Sequence, residues 1–308
     1  MAWFYGTTGD DHIIVPDNGE YNIIQGQSGV DLVEVDPENA SDNVITFWDG
    51  GDTVVGGAGS DRLGIDFLSR IENVTFHGGA GDDSVGFAGG GGGSGAGNVL
   101  DGGEGGMDEF WPRGRAAHIN LETGIAHLSP NDGSGLFYEA TVRNFERIFG
   151  TEGYDIIAGS GADELFRGYG GHDLLSGRGG NDELTGGEGN DTLVGGTGAD
   201  LLDSGRGVDV IRFSQLADSL PGQEDTIVKF SIKDRIDLWR VDADLTTPGN
   251  QAFVFIGAAA FSGTAGELRT EAVWNGVRLS ADADGDKVAD FAVTVTEVAA
   301  MARDDFIL

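Results

Sequence analysis

The amino-acid sequence predicts an all-β fold in which the chain winds into a parallel β-solenoid, followed by a β-rich C-terminal flank. Three observations support this prediction. Glycine is abundant, with 55 of 308 residues, glycine and aspartate recur every nine residues, and apolar residues occupy one fixed place of that repeat. We predict three segments: residues 1–149 with degenerate repeats, residues 150–218 with regular repeats, and residues 219–308 as the flank.

The regular segment repeats in blocks of nine residues that start at Gly168. The blocks read GYGGHDLLS, GRGGNDELT, GGEGNDTLV, GGTGADLLD and SGRGVDVIR. Their sixth place holds Asp173, Asp182, Asp191, Asp200 and Asp209. Their eighth place holds Leu175, Leu184, Leu193, Leu202 and Ile211. Just upstream, GTEGYDII and AGSGADELF add Asp155 and Asp163, with steps of eight and then ten residues.

A nine-residue period excludes the two simple regular structures. Nine residues make two and a half turns of an α-helix, so successive leucines would lie on opposite sides. Nine is odd, so a straight strand would alternate the leucines between its faces. A chain that reverses direction every nine residues brings each eighth residue inside. The glycine-rich six residues then form the turn, the other three form a short strand, and two repeats close one coil.

The stacked aspartates of such a solenoid predict a bound cation. Aspartates in adjacent coils would lie about 4.8 Å apart, and each pair would repel by about 3.5 kcal/mol at an effective dielectric constant of about 20. A divalent cation between coils removes this repulsion and takes further ligands from turn carbonyls. Oxygen ligands without Cys or His favour calcium over zinc, and a flexible loop with many ligands favours calcium over magnesium. We therefore predict several Ca²⁺ ions.

Residues 186–194, GGEGNDTLV, and their neighbours resemble the RTX nonapeptide, a calcium-binding repeat. The resemblance implies a right-handed parallel β-roll with calcium between one turn and the second turn after it. The aspartate pairs that hold it would be Asp155/Asp173, Asp173/Asp191, Asp182/Asp200 and Asp191/Asp209. The backbone carbonyls implied as further ligands come from the glycines of the turns: Gly177, Gly179, Gly186, Gly187, Gly189, Gly195, Gly196 and Gly198. The alternative is that the aspartates serve only to form turns.

Fainter repeats fill the first 149 residues and predict a less regular solenoid with fewer metal sites. They supply Asp11, Asp31, Asp52, Asp61 and Asp83. For each of these isolated copies, a plain turn is as good an interpretation as a calcium site. The segment GGEGGMDEF at 102–110 breaks the pattern, because Met107 stands where the aspartate is expected. Residues 89–97, GGGGGSGAG, predict a flexible loop.

Segments 70–83, 118–128 and 144–160 resemble the strand-bearing spacers of large secreted RTX proteins. Within this half, Phe110 and Trp111 stand beside Arg113 and Arg115. Such a cluster is compatible with a sugar-stacking platform. The alternative is that it caps the end of a solenoid or packs a loop.

After residue 218 the glycine repeats stop, and segments 224–238, 250–269 and 277–295 alternate apolar and polar residues as strands do. Together they resemble the C-terminal region of serralysin-type metalloproteases and of bacterial alginate epimerases. In those proteins the region carries an uncleaved type I export signal that ends in an acidic residue and apolar ones. The corresponding residues here are Asp305, Phe306, Ile307 and Leu308. The alternative is that they form a final strand.

A second acidic group, within the flank, consists of Asp282, Asp284, Asp286 and Asp290. Its density indicates a calcium loop. Its spacing departs from the EF-hand pattern, in which glycine comes sixth and glutamate twelfth. A solvated hairpin turn is the favoured interpretation, and a calcium loop is the alternative.

The net charge and the catalytic motifs that are missing limit the functions that we expect of this protein. The formal net charge of -34 disfavours nucleic acid and anionic membranes as partners and favours cations. There is no HExxH, no GxSxG and no cysteine, and the five histidines are dispersed, so we expect no enzyme. We expect a structural, surface-matrix or adhesive protein. The alternatives are a small enzyme or carbohydrate-binding module within residues 1–149, or the detached export tail of a larger RTX enzyme.

The expected location is extracellular, in solution or on the cell surface. The N-terminus has no basic region and no long apolar stretch, so we expect no cleaved signal peptide and no membrane insertion. A repeat-like segment directly after Met1 favours an intact short protein over a fragment. The expected partners are calcium, a type I secretion apparatus during export, and either further copies of the chain or a cell-surface polysaccharide.

Overall fold

The structure, a computed structural model, describes residues 1–47, 50–65, 72–88, 97–129 and 138–308. Apart from Gly97, the predicted glycine-rich loop at 89–97 lies outside the described residues. The chain forms two compact units, Met1–Ile157 and Ala158–Leu308. The described ranges contain β-strands and two short 3₁₀ turns but no α-helix, so the prediction of an all-β solenoid is confirmed. None of these residues belongs to a helix with the length and apolar character needed to span a membrane.

The described residues of the first unit form fifteen strands and the start of a sixteenth. They are β1 (Ala2–Tyr5), β2 (His12–Val15), β3 (Asn22–Gln25), β4 (Leu32–Val35), β5 (Asn43–Phe47), β6 (Thr53–Val55), β7 (Asp61–Ile65), β8 (Thr75–His77), β9 (Ser84–Ala88), β10 (Asn98–Asp101), β11 (Glu109–Arg113), β12 (Ala116–Asn120), β13 (Ile125–Ser129), β14 (Tyr138–Arg143), β15 (Arg147–Phe149) and β16 (Ile156–Ala158).

Strands β1 to β12 of the first unit alternate between two sheets, as expected for a solenoid, and β13 and β14 stay in the sheet of β12. One sheet has the order β1-β3-β5-β7-β9-β11-β15, and the other has the order β2-β4-β6-β8-β10-β14-β13-β12. All pairings that the structure gives here are parallel except β12–β13 and β13–β14, which are antiparallel. Inward-facing side chains such as Ile24, Ile45, Leu63, Val85 and Phe110 are fully buried between the sheets.

The second unit continues with β17 (Leu165–Gly171), β18 (Leu174–Gly179), β19 (Glu183–Gly189), β20 (Thr192–Thr197), β21 (Leu201–Arg206), β22 (Val210–Arg212), β23 (Asp225–Val228), β24 (Arg235–Asp237), β25 (Val254–Phe255), β26 (Glu267–Val273), β27 (Gly276–Asp282), β28 (Phe291–Thr296) and β29 (Phe306–Ile307). One sheet has the order β17-β19-β21-β23-β28-β27-β26-β25, and the other has the order β18-β20-β22-β24-β29. In the flank, β26, β27 and β28 form an antiparallel meander.

The regular repeats place their eighth residues in the core. Leu184 pairs with Leu202 in one sheet, and Leu193 pairs with Ile211 in the other. Each of these four side chains is fully buried. One coil therefore contains two nonapeptides, and its two leucines fill the interior from opposite sheets. Because each coil contributes so few apolar groups, its turns must be stabilised in another way.

Candidate metal centre

The sixth-place aspartates form two ladders along the second unit. In one, the backbone N–H of Asp173 donates to Asp191 Oδ1 at 2.8 Å, and the N–H of Asp191 donates to Asp209 Oδ1 at 2.9 Å. In the other, the N–H of Asp182 donates to Asp200 Oδ1 at 2.8 Å. Each bond spans 18 residues, so one carboxylate oxygen of each acceptor ties its own coil to the coil before it.

The second carboxylate oxygen is buried and has no hydrogen-bond donor. This holds for Oδ2 of Asp182, Asp191, Asp200 and Asp209. Burial is the largest influence on these groups, and it raises the pKa of Asp182 to about 8 and the pKa values of Asp200 and Asp209 to about 6. A buried anionic oxygen without a donor is costly, and a cation between coils would satisfy it.

The glycines leave room for that cation. A Cβ atom on Gly186 would lie 2.5 Å from Asp191 Oδ2 and 2.6 Å from the carbonyl oxygen of Ser204. A Cβ atom on Gly177 would meet Asp182 Oδ2 and would lie 2.7 Å from the Gly195 carbonyl oxygen. Carboxylate and carbonyl oxygens therefore converge where a side chain is absent. Hard oxygen donors of this kind fit calcium.

The predicted glycine ligands divide into two groups. The carbonyl oxygens of Gly177, Gly186 and Gly195 each lie beside a buried carboxylate, and the Gly189 carbonyl lies beside the carboxylate of Asp209. The remaining glycines lie close to the neighbouring coil, whose atoms a Cβ atom would meet: Gly179, Gly187, Gly196 and Gly198. The last three have positive φ angles, which a side chain would strain. Their role as ligands remains a prediction.

The structure differs from the sequence-based register at Asp163. Asp163 is exposed, and its Oδ1 accepts the N–H of Asn181 at 2.7 Å. Glu164 is buried instead, and its N–H donates to Asp182 Oδ1 at 2.9 Å. Glu164 restores an even nine-residue spacing between Asp155 and Asp173. Its longer side chain reaches back to the hydroxyl of Ser160, which lets glutamate fill an aspartate position.

Asp155 lies near the C-terminal end of the first unit. Its carboxylate accepts the N–H of Thr151 at 2.6 Å and the N–H of Ala117 at 2.5 Å. Burial raises the pKa of Asp155 to about 6 against the lowering effect of these hydrogen bonds. The Asp155/Asp173 pair remains a prediction.

Two shorter ladders run through the first unit. The N–H of Asp11 donates to Asp31 Oδ1 at 3.0 Å, and the N–H of Asp31 donates to Asp52 Oδ1 at 2.9 Å. In the other sheet, the N–H of Asp61 donates to Asp83 Oδ1 at 2.6 Å. All of these aspartates are buried except Asp11, which is partly exposed. The degenerate repeats therefore build the same motif with longer coils.

Asp108 is a member of this ladder that the sequence analysis missed. It accepts the N–H of Asp83 at 2.7 Å, whereas Met107 is exposed. Burial raises the pKa of Asp108 to about 6 and that of Asp83 to about 8. The preceding turn is one residue longer than in the repeat, so the aspartate arrives one place late. The sequence did contain a clue to this position, because an aspartate, Asp108, directly follows Met107 at the end of GGEGGM.

The ladders also continue beyond residue 218, where the glycine repeats end. Asp225 accepts the N–H of Asp200, and Asp234 accepts the N–H of Asp209, both at 3.0 Å and across 25 residues. Asp225 Oδ2 is buried without a donor, and burial raises the pKa of Asp225 to about 9. No nonapeptide marks these two aspartates, so only the fold reveals them.

The acidic group of the flank lies at the end of β27, where Asp282 is the last residue, and in the loop that leads to β28. Asp282, Asp284 and Asp290 bring carboxylate oxygens within 4.8 Å of one another. Asp286 instead accepts the N–H of Val288 at 2.7 Å. Both oxygens of Asp282 accept backbone N–H groups of the loop, at 2.7 and 2.9 Å. The hairpin thus supplies donors of its own, and both interpretations of this loop remain open.

Both units have short parallel coils with carboxylate ladders between them. These features define a class of protein, the calcium-binding β-roll built from nonapeptide repeats. A family model described as peptidase M10 serralysin C terminal matches residues 137–308. The chain belongs to this family. A second model, the RTX calcium-binding nonapeptide repeat, matches residues 39–63. The protein is therefore a secreted, calcium-binding RTX protein.

Among solved structures, the chain is similar to the solution structure of the AlgE6R3 subunit from the Azotobacter vinelandii mannuronan C5-epimerase. The two are 26% identical, the alignment covers 51% of this chain and 78% of that chain, and the TM-score is 0.22. No curated protein matches the chain.

Proposed function

We propose that the protein is a non-enzymatic structural or adhesive component of the cell surface or extracellular matrix. It would leave the cell unfolded and fold when calcium binds outside. The observation that carries this proposal is the pair of carboxylate ladders in the second unit, where Oδ2 of Asp182, Asp191, Asp200 and Asp209 is buried without a donor.

Calcium, when bound, would supply positive charge at these buried oxygens. The protein's own residues do the rest. Asp191 Oδ1 fixes the neighbouring coil through the N–H of Asp173, which leaves Oδ2 available as a ligand. Gly186 keeps the adjacent space open. Because these ligands come together only in the folded coil, calcium binding and folding are coupled.

This coupling suits export of an unfolded chain. Calcium is scarce in the cytosol and reaches millimolar levels outside, so the same sequence would remain unfolded before export and fold after it. The C-terminal residues would carry the type I signal. Phe306 is buried and pairs with Ile236 in the folded protein, so this residue of the signal would become accessible only when the chain unfolds.

A calcium titration followed by far-ultraviolet circular dichroism tests the folding step. We expect little β-structure in EDTA for residues 158–218 and a cooperative gain with a midpoint of roughly 0.1–1 mM calcium. Magnesium should act poorly, since it requires a tight octahedral geometry. Equal β-content in EDTA and in calcium would contradict the proposal.

Export is tested separately by replacing residues 305–308 with alanine. We expect the variant to stay in the cells while the purified protein still gains β-structure with calcium. If the variant reaches the medium without lysis, the proposed type I signal is wrong and the calcium-dependent fold is unaffected.

A further inference from the structure

The chain contains two Asn-Gly pairs, Asn18-Gly19 and Asn275-Gly276. Such a pair is prone to an internal reaction in which the backbone nitrogen of glycine attacks the side-chain amide carbon of asparagine. Glycine favours this attack because no side chain shields its nitrogen and because its backbone is free to rotate. The two pairs have the same chemistry, so any difference between them comes from the fold.

The first pair lies in the turn between β2 and β3, where Asn18 and Gly19 are both exposed. Gly19 has a positive φ angle of 64°, and a Cβ atom on it would meet no described atom within 4 Å. Its N–H donates to Asp17 Oδ1 at 3.2 Å, a hydrogen bond within the exposed turn. The glycine nitrogen can therefore move toward the Asn18 side chain without displacing a packed neighbour.

The second pair is held in a sheet. Gly276 is the first residue of β27 and pairs with Val273 of β26 and with Thr296 of β28. The carbonyl oxygen of Asn275 accepts the N–H of Glu297 at 2.9 Å. Because Gly276 has a strand on each side, its nitrogen would have to leave the antiparallel meander to reach the Asn275 side chain.

Asn18 also begins a column of amides in the first unit. Its Nδ2 donates to Asn22 Oδ1 at 3.0 Å, and Asn22 Nδ2 donates to Asn43 Oδ1 at 2.8 Å. Asn22 and Asn43 are fully buried. The Asn18 amide therefore supplies a hydrogen bond to a buried oxygen, and its chemical state affects the column.

We propose that Asn18 deamidates spontaneously through attack by Gly19, and that the exchange weakens this column of amides. Hydroxide removes the proton of the Gly19 nitrogen, which then forms a bond to Cγ of Asn18. The bond between Cγ and Nδ2 breaks, and Nδ2 takes a proton from water and leaves as ammonia. Water then opens the resulting succinimide ring, adding its hydroxyl to one carbonyl carbon and its proton to the nitrogen. The product is aspartate or isoaspartate at position 18.

One contact of the turn assists this reaction. The N–H of Glu20 donates to Asn18 Oδ1 at 2.8 Å. Negative charge develops on this oxygen when the nitrogen attacks Cγ, and a hydrogen-bond donor already in place stabilises such charge. After the exchange, a carboxylate at position 18 has no donor for Asn22 Oδ1, and leaving a buried acceptor without its donor is destabilising.

The test ages the calcium-loaded full-length protein at mildly alkaline pH and follows both pairs by peptide mass spectrometry. We expect Asn18 to convert to aspartate and isoaspartate several times faster than Asn275, with release of ammonia. The rate should rise with pH, because hydroxide activates the nitrogen. Gly19→Ala should slow the conversion of Asn18 severalfold, since a methyl group shields the nitrogen. In denaturant the two pairs should react at similar rates.

The effect on the column is tested with Asn18→Asp, which should melt at a lower temperature than the wild type. Asn275→Asp is the matched control and should melt like the wild type. The inference is overturned if Asn275 reacts as fast as Asn18 in the folded protein, or if Asn18 keeps its amide while the denatured protein loses its own. Melting of Asn18→Asp at the wild-type temperature would overturn the effect on the column.

Discussion

Both units stack buried carboxylates, and they differ in how one column of the first unit begins. In the first unit, one column begins with amides: Asn22 Nδ2 donates to Asn43 Oδ1 at 2.8 Å, and Asn43 Nδ2 donates to Asp61 Oδ1 at 2.6 Å. In the second unit, Asp173, Asp191 and Asp209 stack as carboxylates. An amide supplies the donor that a carboxylate lacks. We infer that the amide end needs no calcium and that the carboxylate columns do.

Coil length follows the same division. The regular ladders of the second unit repeat every 18 residues. In the first unit, the steps from Asp11 to Asp31, Asp31 to Asp52 and Asp61 to Asp83 are 20, 21 and 22 residues. The longer turns leave room for loop side chains that form hydrogen bonds of their own, as Asn39 does with Ser41 and Pro16. The short turns of the second unit are largely glycine, so we expect them to depend more on the cation.

The largest expected effect is that of pH on the calcium-free protein. Burial raises the pKa of Asp182 to about 8, of Asp225 to about 9, and of Asp200 and Asp209 to about 6. Raised values mean that the folded state binds protons more tightly than the unfolded state. Stability of the calcium-free fold is therefore greatest near pH 4 and is lost as pH rises through about 6 to 9.

Circular dichroism in EDTA should thus show more β-structure at about pH 5 than at about pH 8, and the calcium midpoint should rise as pH falls, because protons and calcium compete. A calcium-free spectrum that stays the same between these pH values would show that the carboxylates do not destabilise the fold.

The next largest effect is expected from a substitution within one carboxylate ladder. Asp191→Ala removes the acceptor for the N–H of Asp173 and one buried oxygen that we propose as a calcium ligand. We expect the calcium midpoint to rise by about tenfold or more. Asp61→Ala, next to the amides of the first unit, should shift it less. Equal shifts in calcium-monitored circular dichroism would remove the distinction between the units.

The converse change should create calcium dependence. Asn43→Asp places a second carboxylate beside Asp61 Oδ1, where Nδ2 now donates at 2.6 Å. At about 4 Å and an effective dielectric constant of about 20, the repulsion is about 4 kcal/mol. The variant should melt at a lower temperature than the wild type in EDTA, and calcium should restore part of the difference. Unchanged melting in EDTA would contradict the role given to Asn43.

A smaller effect is expected at Gly186, next to the buried carboxylate of Asp191. Gly186→Ala puts a Cβ atom 2.5 Å from Asp191 Oδ2 and 2.6 Å from the Ser204 carbonyl oxygen. We expect a loss of about 1–3 kcal/mol in calcium-loaded stability, measured by urea unfolding. Gly161→Ala is the matched control, because a Cβ atom there meets nothing within 4 Å. A comparable loss in both variants would point to a general glycine effect.

The nine-residue period was enough to predict the solenoid and its inward leucines, because only a reversing chain buries one residue in nine. It was also enough to find Asp173, Asp182, Asp191, Asp200 and Asp209, which the fold places in two ladders. The period did not predict the ladder residues where a turn changes length or where another residue type replaces aspartate.

Glu164 takes the place expected for Asp163, and its carboxylate accepts the N–H and the hydroxyl of Ser160. Asp108 is displaced by a longer turn. Asp225 and Asp234 are added by coils of 25 residues that carry no glycine signature. Each of these positions is fixed by the backbone ladder of the neighbouring coil, which the local sequence does not encode.

Hydrogen exchange measured by mass spectrometry, with and without calcium, tests the central claim most directly, because it reads both regions in one molecule. We predict that calcium slows exchange by orders of magnitude in residues 173–209, where the backbone N–H groups of Asp173, Asp182 and Asp191 enter the carboxylate ladders. Protection in residues 22–46, which contain the amide end of the first-unit column, should change far less. Equal gains in both regions, or protection of residues 173–209 in EDTA matching that in calcium, would contradict the account.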